Sequence, residues 1–108
     1  MNLNLTGHHV EITPPIRDYV SSKLKRVTHH FDHLMEVNMI LSVEKLRHRI
    51  EANVHLRGKD VFCEHADTDM YAAIDGLVDK LDRALMRHKE KSLERRHDGA
   101  PLKHRDAR

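Results

Sequence analysis

Residues 37–65 read VNMILSVEKLRHRIEANVHLRGKDVFCEH, and the period of that stretch decides the fold. Val37, Met39, Leu41 and Val43 alternate with Asn38, Ile40, Ser42 and Glu44. Lys45 to His48 is polar and turns the chain, after which Ile50, Ala52, Val54 and Leu56 alternate with Glu51, Asn53, His55 and Arg57. Gly58-Lys59 supplies a hairpin turn, and Val61, Cys63 and His65 continue with Phe62 and Glu64 on the other face. Strand side chains point alternately to opposite faces, so apolar residues at every second position predict three consecutive half-buried strands.

Upstream, Leu3 and Leu5 alternate with Asn2, Asn4 and Thr6, a first strand closed by Gly7. Thr13-Pro14-Pro15 opens a helix: Thr is a good N-cap, and proline is tolerated in the first turn, where its missing N–H has no helical partner. The helix is expected from Pro14 to about His30, with Ile16, Val20, Leu24, Val27 and Phe31 as its apolar stripe. Downstream, Asp67 or Thr68 is expected to cap a last helix whose buried stripe is Met70, Ile74, Leu77, Leu81 and Leu85, flanked by Ala73, Val78 and Ala84. That pattern fades near Lys91. The expected domain is therefore 1–91, with 92–108 as a disordered basic tail, since Leu93 and Leu102 are its only large apolar residues. The order β-α-β-β-β-α predicts an α+β fold in which two helices cover one face of a four-stranded, mainly antiparallel sheet. The other sheet face, carrying Ile40, Glu44, Glu51, Phe62 and Glu64, should be mostly solvated.

One domain of 108 residues with 39% hydrophobic and 33% charged residues has little room for an enclosed substrate cavity. Trp is absent and aromatics are 4%, which argues against a surface built to stack single-stranded bases. The single Cys63 excludes an internal disulfide and fits a reducing cytosol. The first nine residues show no secretory signal, and the most apolar stretch, Val37 to Val43, is too short to span a bilayer, so a cytoplasmic protein without a membrane partner is expected.

Net charge is only +2, so a binding face must come from segregation of charge rather than its sum. On a helical wheel, Lys80, Arg83, Arg87 and Lys91 follow at steps of three or four along one flank of the last helix, with Ala72 and Gly76 on the same side leaving room for a backbone to approach. Asp75, Asp79 and Asp82 line the opposite flank. In the first helix Tyr19, Lys23, Arg26 and His30 share a similar spacing, with Lys25 further out. Most charged stripes are solvated faces held by intrahelical ion pairs. Here cations stand next to cations, where they repel, and a polyanion outside the protein would explain them. The spacing suits a phosphate backbone, not base edges. His30 and His88 lie beside these stripes, where neighbouring phosphates would favour their protonated forms.

Asp69-Met70-Tyr71-Ala72-Ala73-Ile74-Asp75-Gly76-Leu77 followed by Asp79-Lys80-Leu81 resembles the last-helix signature of the short-form ribosome hibernation promoting factors. Glu11-Ile12-Thr13-Pro14, Ile16-Arg17 and Val43-Glu44-Lys45 match as well, and the resemblance runs from Met1 to about Lys91. It implies a fold similar to double-stranded-RNA-binding domains, placement in the messenger and transfer RNA channel of the small ribosomal subunit, and a role in translationally silent ribosomes of slow or non-growing cells. The family's basic helix positions fall on Lys23, Arg26, Lys80, Arg83, Arg87, Lys89 and Lys91. The resemblance also brings in a ribosome modulation factor as a further partner, and a chain that is a monomer off the ribosome. The related ribosome-associated inhibitor carries a longer, acidic tail, whereas this tail is basic; the family's long form has a further dimerisation domain, for which there is no room here.

Chemistry is poorly supported. His29 and His33 have the i, i+4 spacing of a zinc pair, with Asp32 beside them, but no third or fourth ligand stands at a recognised spacing. Asp75, Asp79 and Asp82 invite a carboxylate-pair reading, acid–base or magnesium, but exposed helical Asp rarely has the desolvation that catalysis needs. Cys63 has no activating neighbour in sequence, and His65 reads as a packed or edge histidine. The expectation is an RNA-binding translation inhibitor without enzymatic activity, cofactor, metal or small-molecule substrate. The alternative is a protein-interaction module that regulates another protein through its helical face.

Overall fold

The computed structural model describes the backbone of residues 2–28 and 36–98 and the side chains of residues 2–27 and 36–88. Its elements are β1 (Asn2–His8), α1 (Pro14–Thr28), β2 (Glu36–Glu44), β3 (Arg47–Leu56), β4 (Lys59–Asp67) and α2 (Met70–Asp98). The sheet order is β1-β2-β3-β4. β1 runs parallel to β2, as a strand must when a helix carries the chain back across the sheet, and the other pairs are antiparallel. The α+β, βαβββα architecture is the one expected.

One face of the sheet is the core. Val37, Met39 and Leu41 of β2, Ile50, Ala52 and Val54 of β3 and Val61 of β4 are buried against Val20, Leu24 and Val27 of α1 and Ile74, Leu77, Leu81 and Leu85 of α2. Truncating any of the fully buried leucines to Ala costs about 2–5 kcal/mol by the usual transfer and cavity contributions. On the outer face Phe62 is 57% exposed and Glu44 and Glu64 are exposed, while Ile40 and Glu51 are half-buried by their cross-strand neighbours.

The boundaries differ from the sequence expectation in three places. The turn between β2 and β3 is only Lys45-Leu46, because Arg47 and His48 pair with Glu44 and Val43 and extend the ladder. β4 runs on to Asp67, so neither Asp67 nor Thr68 caps α2; Asp69 does, accepting the Ala72 N–H at 3.0 Å. The Thr13 cap of α1 is as expected, its hydroxyl accepting from the Ile16 N–H. Finally, α2 continues past Lys91 to Asp98, so 92–98 are helical where a disordered tail was expected. Helix propagation adds one hydrogen bond for each residue fixed, and Lys, Glu and Arg are good helix formers. Residues 99–108 lie outside the described residues.

Gly76 sets how α2 sits. A Cβ built there would lie 2.2 Å from Nε2 of His65 on β4, so the imidazole occupies the space a side chain would need. The small residue admits this ring rather than an external backbone. We expect Gly76→Ala to destabilise the protein: overpacking of this kind costs roughly 1–3 kcal/mol, only partly offset by the roughly 1 kcal/mol helix preference of Ala over Gly. Thermal melts should show the loss, and His65→Ala in the same chain should recover part of it. If the single variant melts at or above the parent temperature, the His65 seat is not a tight contact.

Candidate nucleic-acid interface

Docked through its apolar stripe, α2 turns its two charged flanks to opposite sides. The acidic flank faces α1. A groove between the helices is lined by Lys23 and Arg26 of α1 and by Asp75, Asp79 and Asp82 of α2. At its upper end Lys23 Nζ lies 3.4 Å from Asp75, and the Tyr19 hydroxyl donates to the same carboxylate at 2.7 Å. The Tyr19 ring meets Tyr71 edge-on at 4.9 Å, with Lys23 Nζ 5.3 Å from the Tyr19 ring centre. The stripe read as free cations on α1 is thus half of a neutralised inter-helix seam. Lys23 is committed to it, Arg26 is exposed at its lower end, and Lys25 is exposed on the outer side of α1.

The basic flank of α2 faces the free edge of β4. Lys80 Nζ donates to the Glu64 carbonyl at 3.1 Å, covering an outward-facing acceptor of an edge strand. Arg83 forms an i, i+4 pair with Asp79 at 2.7 Å, both side chains being about two-thirds exposed (65% and 69%). Such a pair is worth roughly 0.3–0.5 kcal/mol, little enough for a phosphate to displace. Arg87 is exposed one turn on, without an ion pair among the described residues. The solvated, intrahelically paired reading therefore holds for Arg83, though not for the flank as a whole.

The remaining expected positions fall as follows. His88 stands on the core-facing side of α2, three residues after Leu85, and is half-buried, so it does not border the basic flank. Lys89 and Lys91 fall within α2, but their side chains are outside the described ones. His30, and with it His29, Asp32 and His33, lies outside the described residues. Cys63, with no activating neighbour in sequence, has Lys80 and Arg87 near it in space. Burial nevertheless dominates and holds its thiol above the ordinary value, against activation. On the outer sheet face Arg49 pairs with both Glu51 and Glu64; its hydrogen bond, then its charge, hold the Glu64 carboxyl below the usual range. Lys45 and Arg47, expected as turn residues, line a hollow together with Lys80; their only sequence signal is a Lys where a tight hairpin prefers Gly or Asn.

No helix among the described residues is long and apolar enough to cross a membrane. The molecule is a small α+β domain whose cationic edge is carried by one helix, with no built catalytic constellation among the residues described above. Comparison with known proteins names the group: residues 3–93 match the family model of the Sigma 54 modulation protein / S30EA ribosomal protein, and the chain belongs to that family. Its relatives include the ribosome hibernation promoting factor of Azotobacter vinelandii, 46% identical over 101 residues and covering 94% of each chain. The factor of the same name from Pseudomonas putida is 52% identical over 91 residues, covering 84% of this chain and 89% of its own. Among solved structures, a ribosomal subunit interface protein from Coxiella burnetii superposes with a TM-score of 0.80 at 31% identity, over 83% of this chain and 99% of that one. The N-terminal domain of Thermus thermophilus Protein Y gives 0.76 at 40% identity, over 82% and 99%.

The helix seam has a pH signature. The hydrogen bond to Asp75, then burial and the charges of Asp75 and Asp69, hold the Tyr19 phenol above its ordinary value. Folding then favours the protonated phenol. That contribution is complete below the unfolded tyrosine range, about 10, and is lost as pH rises through the raised folded value. Tyr19→Phe should lower the melting temperature at neutral pH, and the gap to the parent should close in strongly alkaline buffer. A gap of constant size from pH 8 to about 11.5 would show that Tyr19 acts by packing alone.

Proposed function

We propose that this chain is a ribosome hibernation factor that binds the small ribosomal subunit in the messenger and transfer RNA channel and holds the ribosome inactive. The observation that carries the reading is the α2 flank of Lys80, Arg83 and Arg87, with Lys89 and Lys91 continuing the helix beyond it. Lys80, Arg83 and Arg87 stand along an edge that no other element covers among the described residues, at a spacing suited to successive phosphates. The names carried by its relatives support the ribosome as the partner. On this reading the protein works in the cytoplasm of stationary-phase cells and favours ribosome dimers, with a ribosome modulation factor as a further partner. Arg26 and Lys25 of α1, with His30 later in the sequence, form a second, weaker contact.

Occlusion requires no bond-making. It requires a bound state that outlasts the arrival of competing RNA, so inhibition is stoichiometric with ribosomes and needs no nucleotide. Arg83 gives up an exposed pair with Asp79 and gains a phosphate, an exchange that the low worth of surface pairs permits. Binding through phosphates releases counterions, which makes affinity fall steeply with salt, whereas a packed protein interface through the helical face would be far less sensitive. Replacing Lys80, Arg83 and Arg87 with Gln should flatten the salt dependence of small-subunit binding by roughly 0.7–0.9 log units per log salt for each lost contact. Asp79→Asn with Asp82→Asn should leave binding equal or tighter, because it frees Arg83 and removes negative charge. Equal losses in the two sets, measured by sedimentation with purified subunits, would contradict the phosphate reading.

A further inference from the structure

Beside the α2 flank the structure holds a second group of cations that the helix pattern does not contain. The β2–β3 hairpin tip, Lys45-Leu46-Arg47, lines a concavity of about 880 Å³ together with Glu44, Asp67 and Lys80. A smaller hollow of about 380 Å³ is lined by Arg47, Arg49 and again Lys80, with Glu44 and Glu64. We propose that this tip is an RNA-contacting element: Lys45 and Arg47 take backbone phosphates on the far side of the concavity from Lys80, and Leu46 rests on the ribose face between them. The proposal rests on the ribosome-binding reading and adds a site to it.

Three observations carry it. Leu46 is 82% exposed, the most exposed of the large apolar side chains among the described residues, in the two-residue turn between β2 and β3. An apolar side chain so placed contributes nothing to the core. Next, Lys45 has φ of 59°, in the left-handed region. A tight hairpin takes Gly or Asn there without strain, so a lysine at this point gives up local stability for its side chain. Third, the side chains of Lys45 and Arg47 make no hydrogen bond or ion pair among the described residues, while Glu64 is paired with Arg49. Asp67 accepts the Thr68 N–H but keeps its charge, and Glu44 stands in register with Arg47. Lys45, Arg47 and Lys80 against Glu44 and Asp67 leave the concavity an excess of one positive charge, which favours a polyanion over a basic protein segment.

The test uses the full chain and purified small ribosomal subunits. Lys45→Gln and Arg47→Gln are combined, a change confined to exposed side chains, and a melt confirms that the fold is kept. The expected result is a salt slope shallower than the parent's by roughly 0.7–0.9 for each lost contact. In parallel, a photo-crosslinking side chain is introduced in place of Leu46 and the adduct is identified; the expectation is ribosomal RNA. A parent slope kept unchanged in the double variant, or an adduct formed with a ribosomal protein or not at all, overturns the proposal while leaving the α2 flank intact. If the parent itself shows no salt-dependent binding to the subunit, the ribosome-binding reading falls, and this proposal with it.

Discussion

The docking of α2 on the sheet decides everything that its surface can do. Met70, Ile74, Leu77, Leu81 and Leu85 bring the helix down onto β3 and β4, and close packing of that stripe sets its rotation. The His65 ring packs against Gly76, in the space that a Cβ would need, and adds a further close contact between α2 and β4. With rotation settled, the row of aspartates has to face α1 and the row of lysine and arginine has to face the β4 edge.

That partition gives two flanks with different electrostatics. Between the helices, Lys23, Tyr19 and Asp75 close on each other, a neutral seam that joins α1 to α2. On the other side Lys80 meets the edge of β4, Arg83 holds an exposed pair with Asp79, and Arg87 makes no ion pair among the described residues. Exposed charges are weakly committed in high dielectric, so this flank keeps its capacity for an external anion, while the seam has spent its own internally. A nearly balanced chain can therefore present a directional positive edge. The edge strand benefits as well: a lysine over an outward carbonyl discourages pairing with another chain.

The same geometry sets where the hairpin tip lies. β2 and β3 stay paired to their last residues, and that tight closure throws Lys45, Leu46 and Arg47 outward beside Lys80. Cations from a strand turn and a helix thus border one hollow although 33 residues separate Arg47 from Lys80 in the chain. A rigid hairpin holds its side chains at lower entropic cost than a long loop would, which suits a surface that must bind without reorganising.

Much of the fold was legible in the sequence by itself. Period-two alternation over residues 37–65 and the apolar stripes beginning at Ile16 and Met70 determined the element order, the buried face and the α+β class, because side-chain direction follows backbone period with no help from distant residues. The resemblance in residues 69–81 pointed to the family that the comparison then showed. The wheel of α2 also separated its two charged flanks correctly. Only the tertiary structure decided what each flank meets: that Asp75 would neutralise Lys23, that His88 would turn inward behind Leu85, that Gly76 would admit His65, and that Lys45 and Arg47 would join Lys80. A helical wheel records angles about one axis. It holds no information about which neighbour lies at each angle, since that is set by packing between elements far apart in the chain.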